Sequence, residues 1–86
     1  MTRDDAKDVL ARLLHVIAPE VEFATIAPAA PLTDEADLDS MDFLNLLTAL
    51  HEETGVEVRE RDYPQLQTVD AFVDYLVAHH ADARRG

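Results

Sequence analysis

The sequence predicts an all-α fold, a small bundle of three main helices plus one short helix, with a long loop between the first two. Three observations lead to this prediction. The chain has only two glycines and four prolines in 86 residues, too few turn residues for a fold of many short strands. Three stretches repeat apolar residues at helical spacing. The length allows one compact core that buries about 63% of the surface of the unfolded chain.

The first helix is predicted from about residues 2–5 to Ala18. Thr2 and Asp5 have capping-box spacing, and Pro19 ends the helix. Its apolar face consists of Ala6, Val9, Leu10, Leu13, Leu14 and Ile17. The long connection over residues 19–38 carries three prolines. Loops of this length are usually functional or packed down, and the expected anchors are Val21, Phe23, Ile26 and Leu32.

The second long helix is predicted to run from Ser40 to about Thr54. Asp39 suits the N-cap, and Asp42 completes a capping box three residues later. Gly55 is a natural residue to follow the helix end. The apolar residues are Leu38 and Phe43 at the hydrophobic-staple positions, then Leu44, Leu47 and Leu50.

The rest of the chain predicts a short extended segment at 56–58, one turn of helix at 62–66, and a last helix that opens at Thr68. The apolar positions of the last helix are Val69, Phe72, Val73, Leu76 and Val77. We expect a single domain over residues 1–80 and a frayed tail over residues 81–86.

The net charge of −11 is unevenly distributed. Ten acids and no Lys or Arg lie between Leu13 and Val58, so this stretch carries −10 of the −11. Such a field repels phosphate backbones and anionic membranes and attracts basic protein surfaces. We therefore expect neither nucleic acid nor membrane as a partner, but proteins with basic faces.

Several chemistries are excluded or disfavoured by composition. The chain has no cysteine, so disulfides and zinc–sulfur sites are absent. The four histidines lack metal-ligand spacing, and no Gly-x-Ser-x-Gly elbow is present. No apolar run has membrane-spanning length, and the first five residues lack a secretory pattern. We expect a monomer in the cytoplasm.

Ser40 is the only serine of the chain, and it stands at the first position of the second long helix. A phosphate placed there would meet free backbone N–H groups and the positive end of the helix dipole. Taken alone, an ordinary polar helix start is the better interpretation of such a serine. Its surroundings change that balance.

The run Asp39-Ser40-Met41-Asp42, at the start of an acidic amphipathic helix, resembles the acyl carrier protein family, in its stand-alone type. The resemblance extends from the first helix to His79. The residues that carry it further are Leu38, Phe43, Leu44, Leu47, Leu50, Glu52, Glu53, Gly55, Val56, Glu57, Val58, Leu66, Thr68, Val69, Phe72, Val73, Tyr75 and Leu76.

The resemblance implies that Ser40 carries a covalent 4′-phosphopantetheine, taken from coenzyme A and attached by a holo-acyl-carrier-protein synthase. The arm ends in a thiol that holds acyl groups as thioesters, so the prosthetic group supplies the sulfur that the chain lacks. The chain would then be a carrier and not an enzyme, with no catalytic residue. The implied further partners are an acyl- or aminoacyl-loading ligase and downstream transferases or synthases with basic docking surfaces.

By the same resemblance, Asp39, Met41 and Asp42 are docking residues. The two acids would meet Arg or Lys on the partner and also cap the helix. Met41 would make an apolar contact with the partner, and the alternative is that it packs in the core. Glu52 and Glu53 are interpreted mainly as a solvated face, with docking as the lesser alternative.

The chain departs from the fatty-acid-type carriers that it resembles. Asp37 stands where they often have glycine, Asn45 and His51 where they often have acids, and Arg59 and Arg61 interrupt a segment that is commonly acidic. Acyl carriage in fatty-acid, polyketide or specialised metabolism is the leading hypothesis. A stand-alone aminoacyl or peptidyl carrier is the alternative. A hypothesis of another class is a non-carrier acidic helical module that docks a basic partner and has no use for Ser40.

Overall fold

The computed structural model describes the backbone of residues 1–85 and the side chains of residues 1–80. The α-helices in chain order are α1 (Arg3–Ile17), α2 (Leu32–Glu35), α3 (Ser40–Thr54) and α4 (Val69–Arg85). Two 3₁₀ segments, Phe23–Thr25 and Glu60–Gln65, lie in the connections. No named strand occurs within residues 1–85. The predicted bundle of three long helices is confirmed, and the second of them is α3.

The capping signals at the helix starts are confirmed. At α1, the Thr2 hydroxyl accepts a hydrogen bond from the Asp5 amide, and the Asp5 carboxylate accepts one from the Thr2 amide, both at 3.1 Å. The backbone amide of Thr2, and then its side chain, lower the pKa of Asp5 because they stabilise the carboxylate. At α4, the Thr68 hydroxyl accepts from the Ala71 amide at 3.0 Å. Local side-chain chemistry therefore sets where these helices begin.

The core lies where α1 packs against both α3 and α4. The buried residues of these helices are Ala6, Leu10 and Leu14 of α1, Leu46, Leu47 and Leu50 of α3, and Val69, Phe72, Val73, Tyr75 and Leu76 of α4. Ion pairs also cross between the helices: Arg3 pairs with Asp70 and Asp74, and Arg12 with Glu53. Since these pairs are largely exposed, each contributes at most about 1 kcal/mol. Apolar burial holds the bundle together.

The apolar residues of α3 are not all buried. Leu47 and Leu50 are buried as expected, but Leu44 is 44% exposed and Leu46 is buried in the core. The leucine-rich sequence is compatible with more than one apolar stripe. The packing of α1 selects the stripe that contains Leu46 and leaves Leu44 at its edge.

The long connection before α3 is packed down, as expected. Ile26 and Leu32 are buried, and Val21 and Phe23 are half-buried. Backbone hydrogen bonds fasten it to the start of α4: the Leu32 amide donates to the Gln67 carbonyl at 2.6 Å, and the Asp70 amide donates to the Pro28 carbonyl at 3.1 Å. The connection is therefore a fixed part of the fold.

A Schellman turn at the end of α2 sets the start of α3. The Leu38 amide donates to the Thr33 carbonyl at 2.9 Å, and Asp37 has a φ of 52°. This left-handed conformation favours glycine, and aspartate is one of the few other residues that adopt it. The positive φ of Asp37 is consistent with the glycine that fatty-acid-type carriers often have at this position. After this turn, Asp39 lies at the N-cap of α3.

The helix α4 continues to Arg85, past the point at which we expected fraying to begin. The domain over residues 1–80 and the tail over residues 81–86 stay predictions, because the side chains of 81–86 and the structure of residue 86 lie outside the described residues. Among the helices described, none combines the length and the apolar character that a membrane span requires.

Candidate functional site

Ser40 is the first residue of α3, and its side chain is exposed. The capping box around it is confirmed: Asp39 Oδ1 accepts from the Asp42 amide at 2.8 Å, and Asp42 Oδ2 accepts from the Asp39 amide at 3.5 Å. The Asp39 carbonyl accepts from the Phe43 amide at 3.0 Å. In the described residues, the amides of Ser40 and Met41 have no acceptor. The site therefore presents one hydroxyl and two free N–H groups at the positive end of a helix.

The proposed docking residues surround this hydroxyl. Asp39 is exposed, Asp42 is half-buried, and Met41 is 65% exposed. The exposure of Met41 excludes the alternative that it packs in the core. A role of Asp39, Met41 and Asp42 in docking stays a prediction, because no partner is present.

Away from its start, the exposed face of α3 carries no acid until Glu52, near its end. The exposed residues after the capping box are Leu44, Asn45 and Thr48, followed by His51, Glu52 and Glu53 near the end. Glu53 is paired with Arg12 of α1, which neutralises part of that end. The acids nearest Ser40 are the capping pair: Asp39, just before α3, and Asp42, in its first turn.

A cavity of about 490 Å³ lies beside Ser40. Its lining comes from three parts of the chain: Thr33 and Leu38 before α3, Asp39, Ser40, Phe43 and Leu44 at its start, and Tyr63, Leu66 and Gln67 before α4. The ring of Phe43 packs edge-on against Tyr63, with centroids 5.6 Å apart, and against buried Phe72, at 6.2 Å. The lining therefore combines apolar walls with a polar rim that includes the serine hydroxyl.

Sequence reasoning missed this cavity, because its walls meet only in the fold. The spacing of Phe43 marked a hydrophobic staple, and Tyr63 was placed in a short helix, but nothing local to either residue shows that the two rings touch. Leu44 is exposed because it lines the open cavity and is not covered by the core.

No general base is hydrogen-bonded to the Ser40 hydroxyl within the described residues. Among the described side chains, Ser40 has no hydrogen-bond partner, and none of the buried residues is charged. No group of three potential metal ligands occurs in the part of the chain that was described.

Comparisons with known proteins bear on this site. A family model described as the phosphopantetheine attachment site matches residues 4–76. The chain is 30% identical over 77 residues to acyl carrier protein 2, mitochondrial, of Arabidopsis thaliana, a match that covers 87% of this chain and 61% of that protein. It is 27% identical over 77 residues to the acyl carrier protein of Rubrobacter xylanophilus, with 87% and 95% covered.

A solved structure of the acyl carrier protein from Enterococcus faecalis has the same fold, with a TM-score of 0.69 and 28% sequence identity. The match covers 91% of this chain and 98% of that one. The chain thus spans almost the whole length of the two bacterial proteins, but less than two thirds of the Arabidopsis protein.

Proposed function

Because the chain belongs to the acyl carrier protein family, whose members carry covalently attached 4′-phosphopantetheine, we propose that Ser40 is the attachment residue and that the protein carries acyl groups between enzymes. The observation that carries the proposal is the position of the only serine, exposed at the first residue of α3 beside a cavity. When bound, the arm supplies a terminal thiol that can hold an acyl group as a thioester.

The residues at this position fit a phosphodiester. The free amides of Ser40 and Met41 and the dipole of a helix of 15 residues favour a negative charge at this end. Asp39 and Asp42 oppose it electrostatically, but Asp39 Oδ1 accepts a backbone hydrogen bond from within the helix. Because Ser40 is exposed, the arm can leave the surface without displacing any core residue.

The proposal assigns the chemistry to other proteins. We propose that a holo-acyl-carrier-protein synthase modifies Ser40 and that an acyl-loading ligase and downstream transferases or synthases act on the cargo. The chain itself would then contribute no catalytic residue, and we expect it to work in the cytoplasm. The apolar walls of the cavity, formed in part by Leu38, Phe43 and Leu66, favour acyl over strongly polar aminoacyl cargo.

Incubation with coenzyme A and a holo-synthase of broad specificity tests the proposed function. We expect the intact mass to rise by one phosphopantetheine group and fragmentation to map it to Ser40. A reaction without coenzyme A is the control. A chain that stays unmodified with several such synthases, while a known carrier protein is modified in parallel, would contradict the proposal.

Docking through Asp39 can be separated from its capping role. Asp39→Ser keeps a good N-cap residue and removes the charge, whereas Asp8→Asn removes an exposed acid from α1 and is the matched control. We expect kcat/KM for the holo-synthase to fall about two- to tenfold in Asp39→Ser at low ionic strength. The difference should shrink as salt is added, because exposed charges are screened. Equal rates for the two variants at low salt would remove Asp39 from the docking surface.

A further inference from the structure

One wall of the cavity beside Ser40 is a segment with little buried surface. The 3₁₀ helix Glu60–Gln65 contains no buried residue, although its Tyr63 lines the cavity and packs edge-on against Phe43. Backbone bonds mark its two ends: the Asp62 amide donates to the carbonyl of Arg59, just before the segment, at 2.8 Å, and the amide of Leu66, just after it, donates to the Tyr63 carbonyl at 3.0 Å. Segments with little buried surface open locally at low free-energy cost.

A side-chain hydrogen bond joins this segment to the rigid core. The Tyr75 hydroxyl of α4 donates to Asp62 Oδ2 at 2.9 Å, and Asp62 Oδ1 accepts from Gln65 Nε2 at 3.2 Å. Both carboxylate oxygens are therefore engaged. A hydrogen bond to a charged acceptor is stronger than one between neutral groups.

Tyr75 is well placed to act as the fixed end of this bond. It is only 9% exposed, and its ring stacks on the ring of His79, one helical turn later, with centroids 4.1 Å apart. Burial raises the pKa of Tyr75, and the hydrogen bond to Asp62 and its charge add to that shift. The donor is thus held in position by its burial and its stacking.

We propose that Tyr75 is a positioning residue that sets the width of the cavity beside Ser40. Through Asp62 it holds Glu60–Gln65 against the bundle, which keeps Tyr63 in contact with Phe43 and narrows the cavity. Loss of the bond lets the segment move away, so that the wall formed by Tyr63 opens and larger apolar ligands enter. The inference rests on the proposed function only for the use of the cavity by cargo.

The test compares the Tyr75→Phe variant with the wild-type protein, both without any group attached to Ser40. The variant keeps the ring and its stacking but lacks the donor. We expect the Asp62 and Leu66 amides to exchange with solvent about tenfold faster or more, while amides in the middle of α1 change less. Nuclear Overhauser contacts between the Phe43 and Tyr63 rings should weaken. The dissociation constant of the neutral fluorophore N-phenyl-1-naphthylamine should fall about threefold or more.

Three further variants separate positioning from a general loss of stability. Asp62→Ala should behave like Tyr75→Phe, whereas Asp62→Asn keeps an oxygen acceptor and should restore slow exchange. Tyr63→Phe is the matched control for Tyr75→Phe, because it also removes one phenolic hydroxyl, but one that has no hydrogen-bond partner among the described residues. In this control the Asp62 and Leu66 amides should exchange as in the wild type. Because none of these readouts requires modification of Ser40, they are independent of the attachment proposal.

Two results would overturn the inference. One is that Tyr75→Phe accelerates exchange equally throughout the bundle, as a loss of global stability would. The other is that the Phe43–Tyr63 contacts and the affinity for the fluorophore stay at their wild-type values.

Discussion

Ser40→Ala is expected to abolish attachment of phosphopantetheine completely. The chain has no other serine, and the next hydroxyl along α3, that of Thr48, lies two turns further on and donates to the Leu44 carbonyl at 3.0 Å. No second hydroxyl therefore occupies the start of the helix. Intact mass after incubation with coenzyme A and a holo-synthase would measure the effect.

The same substitution should hardly affect the fold. Ser40 is exposed, and the cap of α3 is supplied by Asp39 and Asp42 rather than by the serine. We expect the free energy of unfolding in urea to change by less than about 0.5 kcal/mol, as for other surface substitutions. A modified Ser40→Ala protein, or one that has lost several kcal/mol, would show that we have assigned the wrong role to this residue.

Phe72→Ala is expected to have the largest effect on stability, a loss of about 3–5 kcal/mol. Phe72 is 1% exposed in α4, and its ring packs edge-on against Phe43, a residue of the cavity wall. Truncation leaves a void in the core and removes the ring that supports Phe43 of the cavity wall. Urea denaturation followed by circular dichroism measures the change.

Two controls make this prediction specific. Val16→Ala truncates a side chain that is 74% exposed, and we expect it to cost less than about 0.5 kcal/mol. Phe72→Leu keeps most of the volume and should fall between the two, which guards against the case in which Phe72→Ala does not fold. If Phe72→Leu and Val16→Ala were equally stable, the packing at Phe72 would be less tight than the structure shows.

Helix starts were predictable from the sequence because capping is local. Thr2 with Asp5, and Asp39 with Asp42, lie three residues apart, and each pair makes its hydrogen bonds within one turn. The αL conformation of Gly55 after α3 has the same local origin. The placement of Ser40 at the first residue of α3 followed from these signals.

The cavity and the short α2 helix were not predictable in this way, because they depend on contacts between distant segments. Leu32 is fixed by the carbonyl of Gln67, and Tyr63 meets Phe43 only after the chain has turned back across α3. The burial of Leu46 rather than Leu44 has a similar cause, since packing against the neighbouring helices determines which of several leucines is covered. The chemistry expected at Ser40 came from the resemblance, and the structure adds its exposure and the cavity beside it.

Mass spectrometry of the protein purified from its native source tests the central claim most directly. Fragmentation should locate one phosphopantetheine group on the peptide that contains Ser40, and the mass beyond the arm would identify the cargo. A native protein that carries no arm in any fraction, or that carries one on another residue, would contradict the account.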